Sequence, residues 1–185
     1  FYGRKISYRT LARLNEVKLL ENFGHTEPVE KQLAEFVRVE PSYVSYGWWG
    51  MYCLHRSQLD CAEEKFEKAL TYAPDFWFLH SRLSDTLLYK KQYDASLRSI
   101  DRAIALNPKS GPLHYQRALT LRELKRVDEA INEAVASIHI EPAFMKRLGP
   151  DLIKLGYLQP EASGSNLVPM FDDALRACML DERCW

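Results

Sequence analysis

The stretch Asp60–Pro74, DCAEEKFEKALTYAP, recurs in outline twice further along the chain. Its counterparts are DASLRSIDRAIALNP at Asp94–Pro108 and DEAINEAVASIHIEP at Asp128–Pro142, each displaced by 34 residues. An aspartate opens each copy, a proline closes it, and small and bulky residues keep their places between the two. A fixed period of this length is typical of proteins built from stacked helical units.

Each recurring column has a physical role in a pair of antiparallel helices. Small residues recur where two helices would cross closely, and a bulky residue fills the space between neighbouring pairs. The proline stops the second helix of each pair. The aspartate precedes an apolar-periodic run, so we expect it to be the N-cap, with Glu63 completing a capping box at Asp60. The small columns are Gly50/Ser84/Ala118, Ala62/Ser96/Ala130 and Ala69/Ala103/Ser137, and the bulky column is Phe66/Ile100 with Ala134 in the third unit.

Apolar residues recur at intervals of three and four on both sides of a short charged turn. The pattern predicts an all-α fold of antiparallel helix hairpins. The first helices are expected at about 43–55, 77–90 and 111–124, and the second at about 60–72, 94–106 and 128–140.

A 34-residue helix-turn-helix unit with a small residue in its first helix, alanines in its second and a closing proline resembles the tetratricopeptide repeat (TPR). The third unit departs from the family pattern, because Arg117 stands where a large apolar residue is usual. The resemblance implies a right-handed α-α superhelix, a TPR-like solenoid, with units at 43–76, 77–110 and 111–144. The residues of the best match are Trp49-Gly50, Ala62, Phe66, Ala69 and Pro74.

The remaining segments are expected to belong to the same domain, residues 1–185. Residues 5–41 are expected to form a degenerate hairpin, in which residues 5–22 make an amphipathic helix that pairs with a second helix. Residues 29–41 match the repeat at an offset of 33, but Phe36 replaces a small alanine, so this hairpin should pack differently. Residues 145–185 leave the period and end in an amphipathic stretch, Leu167 to Leu180. We expect a capping segment there, because a solenoid needs atypical end units to shield its last apolar face. A distinct functional element is the alternative.

Composition and motifs exclude several function classes. Lysine and arginine together number 25, as do aspartate and glutamate, so no general field attracts a polyanion and nucleic acid is not an expected partner. No apolar run approaches the ~20 residues needed to cross a bilayer. The chain has no phosphate-cradling glycine loop, no G-x-S-x-G and no H-E-x-x-H. We therefore expect no enzyme activity and no catalytic, cofactor-binding or metal-binding residues.

The four cysteines show no C-x-x-C spacing. Cys53 and Cys61 fall inside a repeat, where we expect small, buried packing residues rather than functional ones. Cys178 and Cys184 bracket the last turn of the chain, and they could be bonded or free. A disulfide would indicate an oxidising compartment. Together with a first residue, Phe1, that is not methionine, it favours a periplasmic or other extracytoplasmic location.

In TPR arrays the first helices line a concave surface, so the resemblance implies a groove for a protein or peptide partner. Aromatic and arginine side chains are typical binding anchors. The alternative is that several of these aromatics are buried beneath neighbouring units. Of the groups that clamp a terminal carboxylate in some arrays, Arg82 alone projects, so such a clamp is not expected. The predicted groove residues are Trp48, Met51, His55, Phe78, Arg82, Asp85, Tyr89, Tyr115, Gln116 and Leu119.

Two classes of function follow from these observations. The first is a scaffold that holds a peptide or partner domain within a larger assembly. The second is a soluble TPR appendage of a larger membrane-bound or secreted enzyme, such as a bacterial envelope polysaccharide polymerase or ligase. The sequence also leaves open a homo-oligomer formed through the end helices.

Overall fold

A computed structural model of the chain describes residues 10, 12–15, 17 and 26–141. Between residues 26 and 141 it consists of helices joined by short connections, and residues 10, 12–15 and 17 are also helical. All predicted helices between residues 43 and 140 are confirmed, with each boundary within one residue. The helices are α1 Thr26–Val39, α2 Tyr43–His55, α3 Leu59–Tyr72, α4 Trp77–Tyr89, α5 Tyr93–Leu106, α6 Gly111–Glu123 and α7 Val127–Ile140.

The chain divides into two compact units, an N-terminal unit of residues 1–74 and a C-terminal unit of residues 75–185. In the N-terminal unit, α2 and α3 form a hairpin and α1 packs against α2. In the C-terminal unit, α4 pairs with α5 and α6 pairs with α7, while α6 also packs against α5 and contacts α4. The two hairpins of the C-terminal unit therefore stack in sequence order, as the repeat predicts.

The recurring small residues lie in the core, as their spacing predicts. Phe66 is fully buried, and a Cβ atom added at Gly50 would lie 2.7 Å from two carbons of its ring. Only glycine fits this crossing of α2 and α3 without displacing the ring. The other members of the small and bulky columns, each with 0% exposure, are Ala62, Ala69, Ser84, Ser96, Ile100, Ala103, Ala118, Ala130, Ala134 and Ser137.

Each hairpin turn is closed by the same backbone motif. The Lys91 N–H donates to the Leu88 carbonyl and the Gln92 N–H to the Leu87 carbonyl, both at 2.9 Å. These two bonds define a Schellman motif, whose central residue adopts a left-handed conformation. The motif recurs in all three hairpins, with positive φ at Ser57 (58°), Lys91 (60°) and Lys125 (62°). The 34-residue period is therefore present in the turns as well as in the core.

The repeated aspartates do not cap their helices. The N-caps of α3, α5 and α7 are Gln58, Gln92 and Arg126, and none of them makes a side-chain cap hydrogen bond. The N-cap prediction, and that of a capping box at Asp60, is wrong because each N-cap lies two residues before its aspartate, at the end of the Schellman turn. The carboxylates lie in the first helical turn, where they complement the positive end of the helix dipole. These aspartates are Asp60, Asp94 and Asp128.

The N-terminal unit accommodates Phe36 in a buried cluster with residues of the segments before and after α1. Phe36 is 1% exposed and forms a buried cluster with Leu14 and Val44. Leu14 lies in the segment where an amphipathic helix was expected, and the described part of that segment is helical. The predicted capping segment, residues 145–185, lies outside the described residues, as do Cys178 and Cys184.

The third unit departs from the family pattern at Arg117 for a visible reason. The Arg117 guanidinium donates to Asp101 of α5 and to Glu133 of α7, both at 2.7 Å. The second oxygen of Glu133 lies 2.7 Å from Nδ1 of His114. A charged side chain thus joins three helices where an apolar one would usually pack.

Candidate partner-binding face

The predicted groove residues of the C-terminal unit come from two neighbouring helices. On α4, Phe78, Arg82, Asp85 and Tyr89 follow one another at intervals of three and four, so they share one helix face. The first three are half-buried and Tyr89 is 66% exposed. On α6, Tyr115 and Leu119 are half-buried and four residues apart. We call these six residues the α4–α6 face.

Gln116 fixes α6 to α4 beneath this face. Its side-chain oxygen accepts from the Ser81 hydroxyl at 2.7 Å, and its side-chain nitrogen donates to the Ser81 carbonyl at 2.8 Å and to Oδ1 of Asp85. Gln116 is only 7% exposed. It was predicted to line the groove, but its amide is used within the fold, so it supports the face rather than forming part of it. Sequence reasoning missed Ser81.

Arg82 forms an ion pair with Asp85 and lies against the ring of Phe78. Its Nη1 lies 3.0 Å from Oδ2 of Asp85, and its guanidinium carbon lies 5.2 Å from the centre of the Phe78 ring. This distance places the cation over the ring, where the ring quadrupole attracts it. The Nε atom of Arg82 is buried and has no hydrogen-bond partner. Arg82 is thus oriented before any partner arrives, with one donor unsatisfied.

Two opposing effects act on the pKa of the Asp85 carboxyl. Burial disfavours its charged form and raises the pKa of its carboxyl from 3.8 to about 6, while the Arg82 guanidinium lowers that pKa in part. Desolvation therefore outweighs the ion pair, and the charge of this site changes in mildly acidic solution.

The predicted groove residues of the N-terminal unit differ in their surroundings. Trp48 is half-buried and packs against both buried clusters of that unit, whereas Met51 is half-buried and His55 is exposed at the end of α2. Trp48 is therefore in large part a core residue, which is the alternative that the sequence left open. That the predicted residues of the two units form one groove stays a prediction.

Cys53 and Cys61 form a disulfide, with their Cα atoms 5.8 Å apart. Cys53 is buried as expected, but its bond to Cys61 was not predicted. The bond forms because the turn between α2 and α3 brings the last turn of one helix beside the first turn of the other. A signal was present in the repeat, where Cys53 falls at the position of the buried Leu87 and Leu121.

In the part of the chain that the structure describes, no group of three histidine, cysteine or acidic side chains could hold a metal ion. No helix in that part is long and apolar enough to cross a bilayer.

No protein-family model matches the chain. A curated protein of Dictyostelium discoideum, a DnaJ homolog subfamily C member 7 homolog, is 26% identical in an alignment 115 residues long that covers 52% of this chain and 21% of that protein. The chain therefore spans about a fifth of the length of that relative.

Two solved structures are similar to the chain over most of its length. MamA, from residue 41 to its end, of Desulfovibrio magneticus RS-1 has a TM-score of 0.69 at 16% identity, over 97% of this chain and 95% of that one. YrrB, described as a TPR protein with an unusual peptide-binding site, has a TM-score of 0.63 at 20% identity, over 88% and 83%. The chain thus has the all-α fold of tetratricopeptide-repeat solenoids.

Proposed function

Starting from the tetratricopeptide-repeat fold, we propose that the chain is a non-catalytic scaffold that binds an extended peptide of a protein partner on its α4–α6 face. The observation that carries this proposal is the arginine–phenylalanine pair fixed by Gln116 and Asp85. Tyr115 lies on α6 beside the glutamine, and Tyr89 is the most exposed large apolar side chain among the residues that the structure describes.

The energetic argument is one of preorganisation. Ordering a long side chain on binding costs about 0.5–1.5 kcal/mol, and Arg82 is already ordered by Asp85, Ser81 and Phe78. Arginine and tyrosine are also the residue types that most often dominate protein interfaces. An extended peptide laid across the face would contact both helices and gain from both kinds of anchor. The similarity of YrrB in fold is consistent with this proposal.

The proposal is tested by selecting binders from a random dodecapeptide library on the purified chain and measuring their affinities by calorimetry. Arg82→Ala and Tyr115→Ala are each expected to weaken the selected peptides about tenfold or more, as truncated anchors do. Tyr72→Ala is the matched control, because Tyr72 is 49% exposed but belongs to the N-terminal unit. Circular dichroism shows whether each variant is folded.

Two results would contradict the proposal. One is a set of selected peptides that bind Arg82→Ala and Tyr115→Ala as tightly as the unsubstituted chain. The other is a selection that yields no binder at all. Trp48→Ala is a poor probe, since truncation of a side chain that packs on both core clusters would disturb folding as well.

A further inference from the structure

We propose that the α4–α6 face contains an anion site controlled by a proton, in which an acidic side chain of the bound peptide replaces Asp85 at the Arg82 guanidinium once Asp85 is protonated. This inference rests on the proposed function. It adds the chemistry of the partner and the condition under which the partner binds.

The Arg82 guanidinium has a neutralising partner and a spare donor. Nη1 pairs with Asp85, Nη2 donates to the Ser81 hydroxyl at 3.3 Å, and Nε has no partner. The side chain of Arg82 is 30% exposed, so part of it faces solution, although Nε is buried. With Asp85 ionised, the site carries no net charge and one edge of the guanidinium is taken.

Protonation of Asp85 changes the net charge of the site but leaves its hydrogen bond with Gln116 possible. The carboxyl can still accept from Gln116, but the ion pair with Arg82 is lost. Of the helices packed around Asp85, α4 contributes the charged Arg82, α6 contributes the neutral Gln116 amide, and α5 faces α4 with the Ser96 hydroxyl. The cation beside Phe78 then lacks a counter-ion.

A carboxylate from the partner fits this state best. Arginine and carboxylate form paired, charge-assisted hydrogen bonds, and a guanidinium is the cation best shaped for them. An aspartate or glutamate side chain within a peptide can supply this group while the rest of the peptide contacts Tyr115 and Tyr89. A single arginine suffices for such a side chain, whereas the clamp for a terminal carboxylate was not expected from the sequence.

The test uses a rhodamine-labelled (Asp-Gly)4 peptide, with binding to the whole chain followed by fluorescence anisotropy between pH 5.0 and 7.5. The aspartates of the probe stay about nine-tenths ionised at pH 5. With a pKa of about 6, Asp85 is protonated in about nine-tenths of molecules at pH 5 and in about one in thirty at pH 7.5. If only the protonated form binds, affinity falls about 30-fold across this range.

Three variants separate this mechanism from general charge effects. Asp85→Asn should bind the probe at pH 7.5 as tightly as the unsubstituted chain does at pH 5, and with no dependence on pH. Asp101→Asn removes one carboxylate from another arginine pair, that of Arg117, and should keep the original profile. Arg82→Gln should lose binding at both pH values, and circular dichroism confirms that each variant is folded.

A flat pH profile for the unsubstituted chain, or the original slope in Asp85→Asn, overturns the inference. Failure of the acidic probe at every pH, with library-selected neutral peptides still bound through Arg82 and Tyr115, also overturns it but leaves the proposed function standing. Failure of both kinds of peptide removes both.

Discussion

Asp85→Asn is expected to stabilise the C-terminal unit at neutral pH and to leave its stability nearly unchanged in acid. Burial raises the pKa of Asp85 from 3.8 to about 6, so the folded chain holds this proton more tightly than the unfolded chain does. Its stabilising contribution is therefore fully present below about pH 4 and is lost as the pH rises through about 6. A shift of this size corresponds to about 3 kcal/mol. Asparagine resembles the protonated carboxyl in shape and carries no charge to desolvate.

The measurement is urea unfolding followed by circular dichroism at intervals from pH 4 to pH 7.5. The variant's free energy of unfolding should exceed that of the unsubstituted chain by nearly nothing at pH 4 and by about 3 kcal/mol at pH 7. Asp94→Asn, at an exposed position in the first turn of α5, removes the same charge and should preserve the original pH profile. A variant that is less stable at pH 7 would refute the reasoning, because it would show that the Arg82 ion pair outweighs desolvation.

Three further substitutions test the packing and the turns. Gly50→Ala should destabilise the N-terminal unit by about 1–3 kcal/mol, because its methyl group clashes with the Phe66 ring. Phe66→Leu in the same chain should recover part of this loss. If chemical denaturation showed that the destabilising effects of the two substitutions simply add, the clash would be contradicted. Lys91→Gly should raise stability by about 1 kcal/mol, since it relieves a left-handed conformation, and an unchanged melting temperature would argue against strain there. The double substitution Cys53→Ala and Cys61→Ala should lower the free energy of unfolding by about 2 kcal/mol, and a thiol reductant should have the same effect on the unsubstituted chain. If the reductant has no effect, the two sulfurs are not bonded.

The hairpins could be predicted because their signal resides in single residues. A small side chain at the position of Ala62 has the same consequence in every repeat, whatever its neighbours are, so periodicity alone locates the core. The sequence determines the first residue of each helix less clearly. An aspartate at the N-cap and one in the first turn both place a carboxylate near free amides. The backbone of the Schellman turn decides between them, and a turn centred on Ser57, Lys91 or Lys125 lacks the glycine that would have indicated it.

The candidate site was predicted less completely, because its polar contacts join residues of two successive repeats within the C-terminal unit. Phe78 and Arg82 were placed on one face, which their spacing on a helix dictates. The burial of Gln116 could not be inferred from its own position, since it follows from Ser81 and Asp85 taking both ends of its amide. The sequence pattern of the groove therefore wrongly suggested that this glutamine is exposed.

The repeat nevertheless contains the rule that would have exposed these contacts. Ser81 and Gln116 are 35 residues apart, and Asp85 and Gln116 are 31 apart, which are one more and three fewer than the period. Since residues four apart share a helix face, one residue of a first helix meets two residues of the preceding first helix at these separations. Polar pairs that satisfy each other in this way must be removed from a predicted groove before its chemistry is judged. In the predicted groove, this step removes Gln116 and shows that Asp85 already accepts a hydrogen bond from it. It leaves an arginine among aromatic side chains, and this remainder is the surface on which both proposals depend.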